Sequence, residues 1–336
     1  MSSIFFAGLT AFAVTFALCP LVIYLVKRFK AQQVILHYVE DHKAKSGVPT
    51  MGGIAFILGI GAGALLFLRG EKRLAVVALG VMAGYGVIGF LDDFLKIKYK
   101  RNLGLRAYQK LTTQTALAAI VAVFAYNSPY IGGEIFLPFT FKTVDLGLFA
   151  IPFAALVFIA LTNCVNLTDG LDALASSVTA VYTAGFAAIL YLAYNFLARE
   201  GAGPALLEEY ANLLAVCAAV AGGALAFICF NAYPAKVFMG DCGSLALGGA
   251  AGALAVFSRM SLLVPLLGIV FVASGASVIL QVAYFKLTKG KRIFLMAPLH
   301  HHFQRKGIFE GKIVVWYFTA TLVVAAVCVA AYLFVN

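Results

Sequence analysis

Long apolar runs alternate with short polar connections along the chain. They predict ten helices, near residues 4–26, 52–68, 74–94, 108–126, 146–165, 171–195, 211–230, 243–258, 263–285 and 313–335. The eighth run is short, and Pro20, Pro152 and Pro265 are expected to kink their helices without ending them. The predicted fold class is all-α: a polytopic membrane protein in which residues 1–336 form one integral membrane domain. The first run, Ile4 to Val26, has no basic leader and no small-residue cleavage site, and Lys27, Arg28 and Lys30 follow it, so it reads as a retained first helix.

Composition agrees, because 63% hydrophobic and 12% charged residues exclude an ordinary soluble domain. Nineteen of the 25 lysines and arginines fall in the odd-numbered connections, counting Lys110 with the third. The bias of such residues toward the cytoplasm then places those connections inside and both termini outside. The net charge of +11 follows mostly from this bias, with attraction to anionic headgroups or a polyanionic substrate as a further use. It does not indicate nucleic acid, since no basic domain exists to hold a duplex. Six scattered cysteines without a CxxC pair read as packing residues. The Gly248 to Gly252 spacing permits close helix packing, more often within a chain than between chains.

Five polar stretches interrupt this pattern, and all belong to the predicted cytoplasmic side. "GFLDDFLK", residues 89–96, puts Asp92 and Asp93 at the expected end of the third helix, about 100° apart around its axis. Two such carboxylates repel unless a cation or proton sits between them. A solvated helix end paired with Lys96 is the plain alternative. In "NCVNLTDGLDALA", residues 163–175, Asn163, Asn166, Asp169 and Asp172 recur every third residue. Thr168 or Asp169 is expected to cap a helix starting at Gly170, and such an N-terminus suits a base, ribose or phosphate.

"NAYPAKVFMGDCGS", residues 231–244, sets Asp241 between Gly240 and Gly243, with Phe238 as a stacking surface. "APLHHHFQRKG", residues 297–307, has three consecutive histidines that cannot all face one metal from a single strand or helix. Beside Arg305 and Lys306 they suit anionic oxygens better than zinc. "DHKAKSGVPTMGG", residues 41–53, offers Lys43 and Lys45 to phosphates.

Oxygen ligands, phosphate-binding cations and a membrane boundary together suit magnesium and phosphoryl transfer. A proton- or cation-coupled transporter is the rival reading, but its charges belong near the bilayer midplane rather than at one face. A membrane scaffold is the third.

The stretches "PTMGG", "GFLDDFLK", "NLTDGLDALA", "VFMGDCGSLALGG" and "APLHHHF" resemble the polyprenyl-phosphate N-acetylhexosamine-1-phosphate transferases, and the histidine segment points to the muramoyl-pentapeptide branch. The resemblance spans residues 42 to 303. It implies ten transmembrane helices with outer termini, and transfer of phospho-MurNAc-pentapeptide from UDP-MurNAc-pentapeptide to undecaprenyl phosphate, giving lipid I and UMP at the cytoplasmic face of the bacterial inner membrane. Sister enzymes that use UDP-GlcNAc are the alternative within the family.

By the same resemblance Asp92 and Asp93 are required, one of them is proposed to deprotonate the lipid phosphate, and Asp241 binds Mg2+. Asp92, Asp93 and Asp241 are thus the implied metal set, and His300 joins them as a catalytic candidate. Asn166 and Asp169 match polar pocket positions; Gly170, Leu171 and Asp172 match a uridine pocket, with Phe238 stacking on uracil. Lys45, Thr50, Lys110, Ser244, Gln281, His300 and His301 fall on substrate-cavity positions. A homodimer is implied as well. The chain departs from the pattern at Ala173, Cys242 and Gln304, where many relatives have Gly, Thr and Glu.

Overall fold

The computed structural model describes residues 2–28, 47–99 and 104–335. A helix stands at each of the ten predicted places: α1 (Ser2–Arg28), α2 (Gly53–Leu65), α3 (Arg73–Tyr99), α4 (Ala107–Tyr126), α5 (Ala150–Thr168), α6 (Leu174–Arg199), α7 (Pro204–Asn231), α8 (Gly240–Phe257), α10 (Ile269–Leu287) and α12 (Glu310–Val335). Between them lie a two-stranded hairpin (β1 Glu134–Phe136, β2 Thr143–Asp145), a single turn α9 (Val264–Leu267) and the short α11 (Leu299–Arg305). Among the described residues, eight helices are long and apolar enough to cross a membrane. The other two of the ten are α2, apolar but only 13 residues, and α4, whose first half carries Gln109, Lys110, Thr112, Thr113 and Gln114.

The arrangement is built around α8, whose residues from Cys242 to Phe257 are all buried. Its small side chains let neighbours approach to backbone distance, which in lipid replaces the hydrophobic drive that water would supply. A Cβ on Gly248 would lie 2.5 Å from Thr162 Cα of α5, and one on Gly252 would lie 2.7 Å from the Phe158 ring. The GxxxG pair is therefore used inside the chain. On the opposite side α8 packs against α3, where the Tyr85 ring fills the space beside Gly249.

Three expectations change. Helix α3 continues to Tyr99 instead of stopping near residue 94, so Asp92 and Asp93 lie within its last turns and are buried, not solvated at a helix end. The ninth predicted span is broken: Pro265 sits in the first turn of α9, where its missing N–H costs no helical bond, and the chain restarts at Ile269 after Gly268. Pro152 likewise lies in the first turn of α5, leaving Pro20 of α1 as the mid-helix proline of the three. The β-hairpin had no counterpart in the apolar pattern. It is fixed from outside by Arg259, whose Nη1 lies 2.6 Å from Glu134 Oε2 and whose carbonyl accepts the Phe136 N–H at 2.7 Å. All six cysteines are free thiols.

Candidate active site

The site begins where α3 and α8 touch. At Gly89 a side chain would overlap the Asp241 backbone, so only glycine lets the two helices close to this distance. One turn further along α3, Asp92 and Asp93 meet Asp241 in the first turn of α8, and one oxygen from each carboxylate lies within 4.8 Å of the others. Asp93 Oδ2 accepts the Cys242 N–H at 3.0 Å, at the positive end of the α8 dipole. Asp92 Oδ1 accepts the Leu105 N–H at 2.8 Å. Gly240 takes the left-handed backbone region at φ +70°, and a Cβ there would press on Asp93 Oδ2 and on Thr50 Oγ1.

Two ammonium groups hold this acidic cluster together. Lys96 Nζ lies 2.6 Å from Asp92 Oδ2, 2.7 Å from Asp241 Oδ2 and 3.7 Å from Asp93 Oδ1. Lys110 Nζ approaches the same Asp241 oxygen at 2.9 Å and Asp92 Oδ2 at 3.9 Å. The other Asp241 oxygen accepts a bond from Asn166 Nδ2 at 2.7 Å, and that amide also donates to Ser244 Oγ at 2.8 Å. Three carboxylates against two ammoniums leave a net acidic, oxygen-only donor set. Carboxylate and hydroxyl oxygens with no thiol or imidazole among the clustered ligands fit a hard divalent cation and not zinc. The cluster of three aspartates can hold a metal.

The wall beside it is the turn joining α5 to α6. Helix α5 ends at Thr168, α6 starts at Leu174, and residues 169–173 between them are not helical. Neither Thr168 nor Asp169 is the N-cap of α6: Thr168 Oγ1 donates back to Cys164 O at 2.7 Å, Asp169 is the C-cap of α5, and the residue before α6 is Ala173, at φ +62° with no side-chain cap. The left-handed backbone at Ala173 is the physical reason glycine suits this position. Asp169 is half-buried. Burial, then the nearby Asp241, Asp93 and Asp172, hold its carboxyl well above the usual carboxylate range. Asn163 turns away from the cluster and donates to Gln114 Oε1 of α4 at 2.7 Å.

Gly170, Leu171 and Asp172 complete this turn, and the connection 232–239 lies across from it. Asp172 Oδ2 accepts the Ala235 N–H at 3.0 Å, and Asn231 joins the two segments by accepting from Ala173 N at 3.0 Å and donating to Val237 O at 2.9 Å. Phe238 is half-buried, and its backbone bridges to the start of α2 through Pro49 O at 2.8 Å and Gly52 N at 2.9 Å.

The three histidines of α11 diverge. His300 is fully buried with its ring against Gly170, and neither ring nitrogen has a hydrogen-bond partner among the described residues. Burial and the neighbouring His301 hold it well below the usual histidine value, so it is neutral at physiological pH. His301 Nδ1 pairs with Gln304 Oε1 at 2.6 Å, and His302 Nδ1 accepts the Leu295 N–H at 3.1 Å. Gln281 spends its amide on the loop before α11, accepting from Ile293 and Phe294 N–H at 3.1 and 3.0 Å and donating to Phe294 O at 3.1 Å. Lys43, Lys45, His37 and His42 lie outside the described residues.

The structure thus brings together Asp92, Asp93, Asp241, Lys110, Asn166, Ser244 and Thr50, with Asp169 beside them. It adds Lys96, which the sequence reading treated only as a partner for a helix end; its i+4 spacing from Asp92 was the available signal. Asn231 and Glu310, which bind backbone groups of the 169–173 turn, carried no local signal at all.

The sequence profile described as Glycosyl transferase family 4 matches residues 74–259. A phospho-N-acetylmuramoyl-pentapeptide-transferase of Clostridium novyi (strain NT) is 44% identical over 315 residues, covering 94% of this chain and 92% of that protein. The enzyme of the same name from Desulfitobacterium hafniense is 43% identical over 332 residues, 98% of each chain. That of Clostridioides difficile (strain 630) is 40% identical over 327 residues, 97% of each.

Proposed function

We propose, for a chain that belongs to the phospho-N-acetylmuramoyl-pentapeptide-transferases of Glycosyl transferase family 4, that it moves phospho-MurNAc-pentapeptide from UDP-MurNAc-pentapeptide to undecaprenyl phosphate, forming lipid I and UMP. The observation that carries this reading is the gathering of Asp92, Asp93 and Asp241 with Lys96 and Lys110 in one cluster at the ends of apolar helices. A water-soluble nucleotide sugar and a lipid phosphate meet only at the membrane boundary. A site at helix ends suits both.

Asp92, Asp93 and Asp241 are the residues that would hold Mg2+, which supplies neutralisation of the donor diphosphate and of the leaving phosphate. The chain's own groups do the rest. Lys96 and Lys110 meet the negative charge of the diphosphate; the half-buried Phe238 offers its ring to the uracil, and the Gly170, Leu171 and Asp172 turn borders the nucleoside. His300 backs that turn with its buried ring on Gly170, and the half-buried His301 beside it is the histidine that meets the sugar phosphate. Thr50, Asn166, Asp169 and Ser244 surround the acidic cluster and Gln281 holds the loop that precedes the histidines, while Lys45 is assigned to the substrate phosphates from the sequence alone.

An oxygen of the acceptor phosphate attacks the phosphorus bonded to the sugar, and the bond to the bridging oxygen breaks, so UMP leaves with that oxygen. The acceptor phosphate is already largely ionised near neutral pH, which makes alignment and charge neutralisation the larger contributions. Direct attack is favoured over a phosphosugar on Asp241, because both Asp241 oxygens already accept bonds from Asn166, Lys96 and Lys110, which makes them poor nucleophiles.

The reading places the site on the cytoplasmic face of the bacterial inner membrane, with ten spans, one domain over residues 1–336 and outer termini. The positive bias of the odd-numbered connections supports this. The homodimer belongs to the reading too, though not through Gly248 and Gly252, which are used inside the chain. Purified protein with Mg2+ and undecaprenyl phosphate tests the substrate: UMP is released from UDP-MurNAc-pentapeptide and not from UDP-GlcNAc. The opposite preference would assign the chain to the sister activity.

A further inference from the structure

Glu310 is the first residue of α12, buried, and 138 positions from the turn it touches. Its Oε1 accepts the backbone N–H of Asp172 at 2.6 Å. The start of a helix is where the dipole favours a carboxylate, which suits Glu310 as an acceptor for a backbone N–H. The segment it holds is a non-helical turn. Residues 169–173 lie between two helices, and Ala173 is in the left-handed region.

Besides the Asp172 N–H, the turn is held by Asn231, which accepts the Ala173 N–H, and by the bond of Asp172 Oδ2 to Ala235 N–H. Asp172 is therefore held at its backbone by α12 and at its side chain by the connection that carries Phe238. Tyr317, two turns further along the buried side of α12, sets its ring edge-on to His300, whose own ring packs on Gly170. One helix outside the family profile thus backs both the turn and the histidine behind it.

We infer that Glu310 is a positioning residue for the nucleotide pocket, fixing the Gly170–Asp172 turn at the distance from Phe238 that a uridine needs. The inference rests on the proposed donor site. It predicts a specificity of effect: Glu310 acts on the donor through the backbone of the Asp172 turn, so its loss changes how well the donor binds and leaves the transfer step alone. An amide oxygen accepts the same backbone bond. Glutamine at this position should therefore restore what alanine removes.

The test compares wild type, Glu310→Ala, Glu310→Gln and Glu310→Asp, full-length in detergent, by UMP binding in calorimetry and by steady-state kinetics with varied donor. Glu310→Ala is expected to raise the UMP dissociation constant and the donor KM at least tenfold with kcat within threefold, and Glu310→Gln to stay within threefold of wild type in both. Glu310→Asp keeps the charge but withdraws the acceptor by one methylene. It is expected to raise both constants without loss of folded protein, and it carries the test if the alanine variant does not fold. Unchanged UMP affinity and KM in the folded alanine or aspartate variant overturn the inference, as does a fall in kcat without a change in binding. Absence of UMP binding by wild type would instead remove the donor-site reading itself.

Discussion

Gly89 and Asp241 touch backbone to backbone, and this contact sets the spacing of the acidic cluster. A side chain at Gly89 has no room beside the Asp241 carbonyl, which neither helix can move without separating Asp92 and Asp93 from Asp241. Gly89→Ala is expected to cost about 1–3 kcal/mol of stability from overpacking, and to cut turnover about 100-fold because a displacement near 1 Å is enough to misalign reacting groups. Thermal unfolding and steady-state turnover of the variant check both. Normal activity would mean that the helix contact does not set the site.

Lys96 stands where a divalent cation would balance the same carboxylates. Lys96→Met leaves the charges of Asp92 and Asp241 less compensated. Mg2+ should then bind about tenfold more tightly, a difference of roughly 1.4 kcal/mol, while turnover falls because the diphosphate loses an ammonium. Titration calorimetry with Mg2+ decides the first point. Weaker binding in the variant would show that the ammonium and the metal do not compete for this position.

Phe238 gives the donor a face to stack on, and its backbone is fixed by Pro49 and Gly52 rather than by its ring. Removing the ring should therefore leave the loop in place. Phe238→Ala is expected to raise the donor KM about 10- to 100-fold, as loss of a base-stacking contact of ~1–3 kcal/mol implies, with kcat nearly unchanged. An unaltered KM for the donor would detach Phe238 from the nucleotide.

His300 predicts a pH dependence of stability with a definite sign. Burial and His301 lower its value in the fold below that of the unfolded chain, so the unfolded chain takes up the proton first as pH falls. The contribution is complete above about pH 6.5, the ordinary histidine value, and is lost as pH drops below it. Wild type should lose melting temperature between pH 7.5 and 5.5, and His300→Gln should show a shallower loss over that interval. Asp169, raised in the fold, acts with the opposite sign and is common to both proteins, so it cancels in the comparison. Equal slopes for the two proteins would contradict the buried, neutral imidazole.

Much of this was legible in the sequence, for reasons that particular residues make plain. The helices announce themselves because lipid demands long apolar runs, and the aspartates stand out because a carboxylate at membrane depth is costly and needs a purpose. Boundaries were less legible. Lys96 and Lys98 look like the end of a span, yet α3 carries on to Tyr99 because Lys96 turns inward to Asp92 and Asp241. Thr168 and Asp169 have the composition of a helix cap, but the left-handed Ala173 delays α6 to Leu174, and the orphan N–H groups of the turn go to Glu310 and Asn231 instead. Partners 58 and 138 residues away leave no local trace.

The central claim is that Asp241, arriving from α8, completes with Asp92 and Asp93 of α3 one centre for phosphosugar transfer. UMP release by purified Asp241→Asn, measured beside wild type with Mg2+, undecaprenyl phosphate and UDP-MurNAc-pentapeptide, tests it most directly. Loss of a preorganised charge at the reacting centre costs at least about 100- to 1,000-fold, so the account predicts a rate at or near background in a variant that still folds. Turnover equal to wild type in that variant would contradict it.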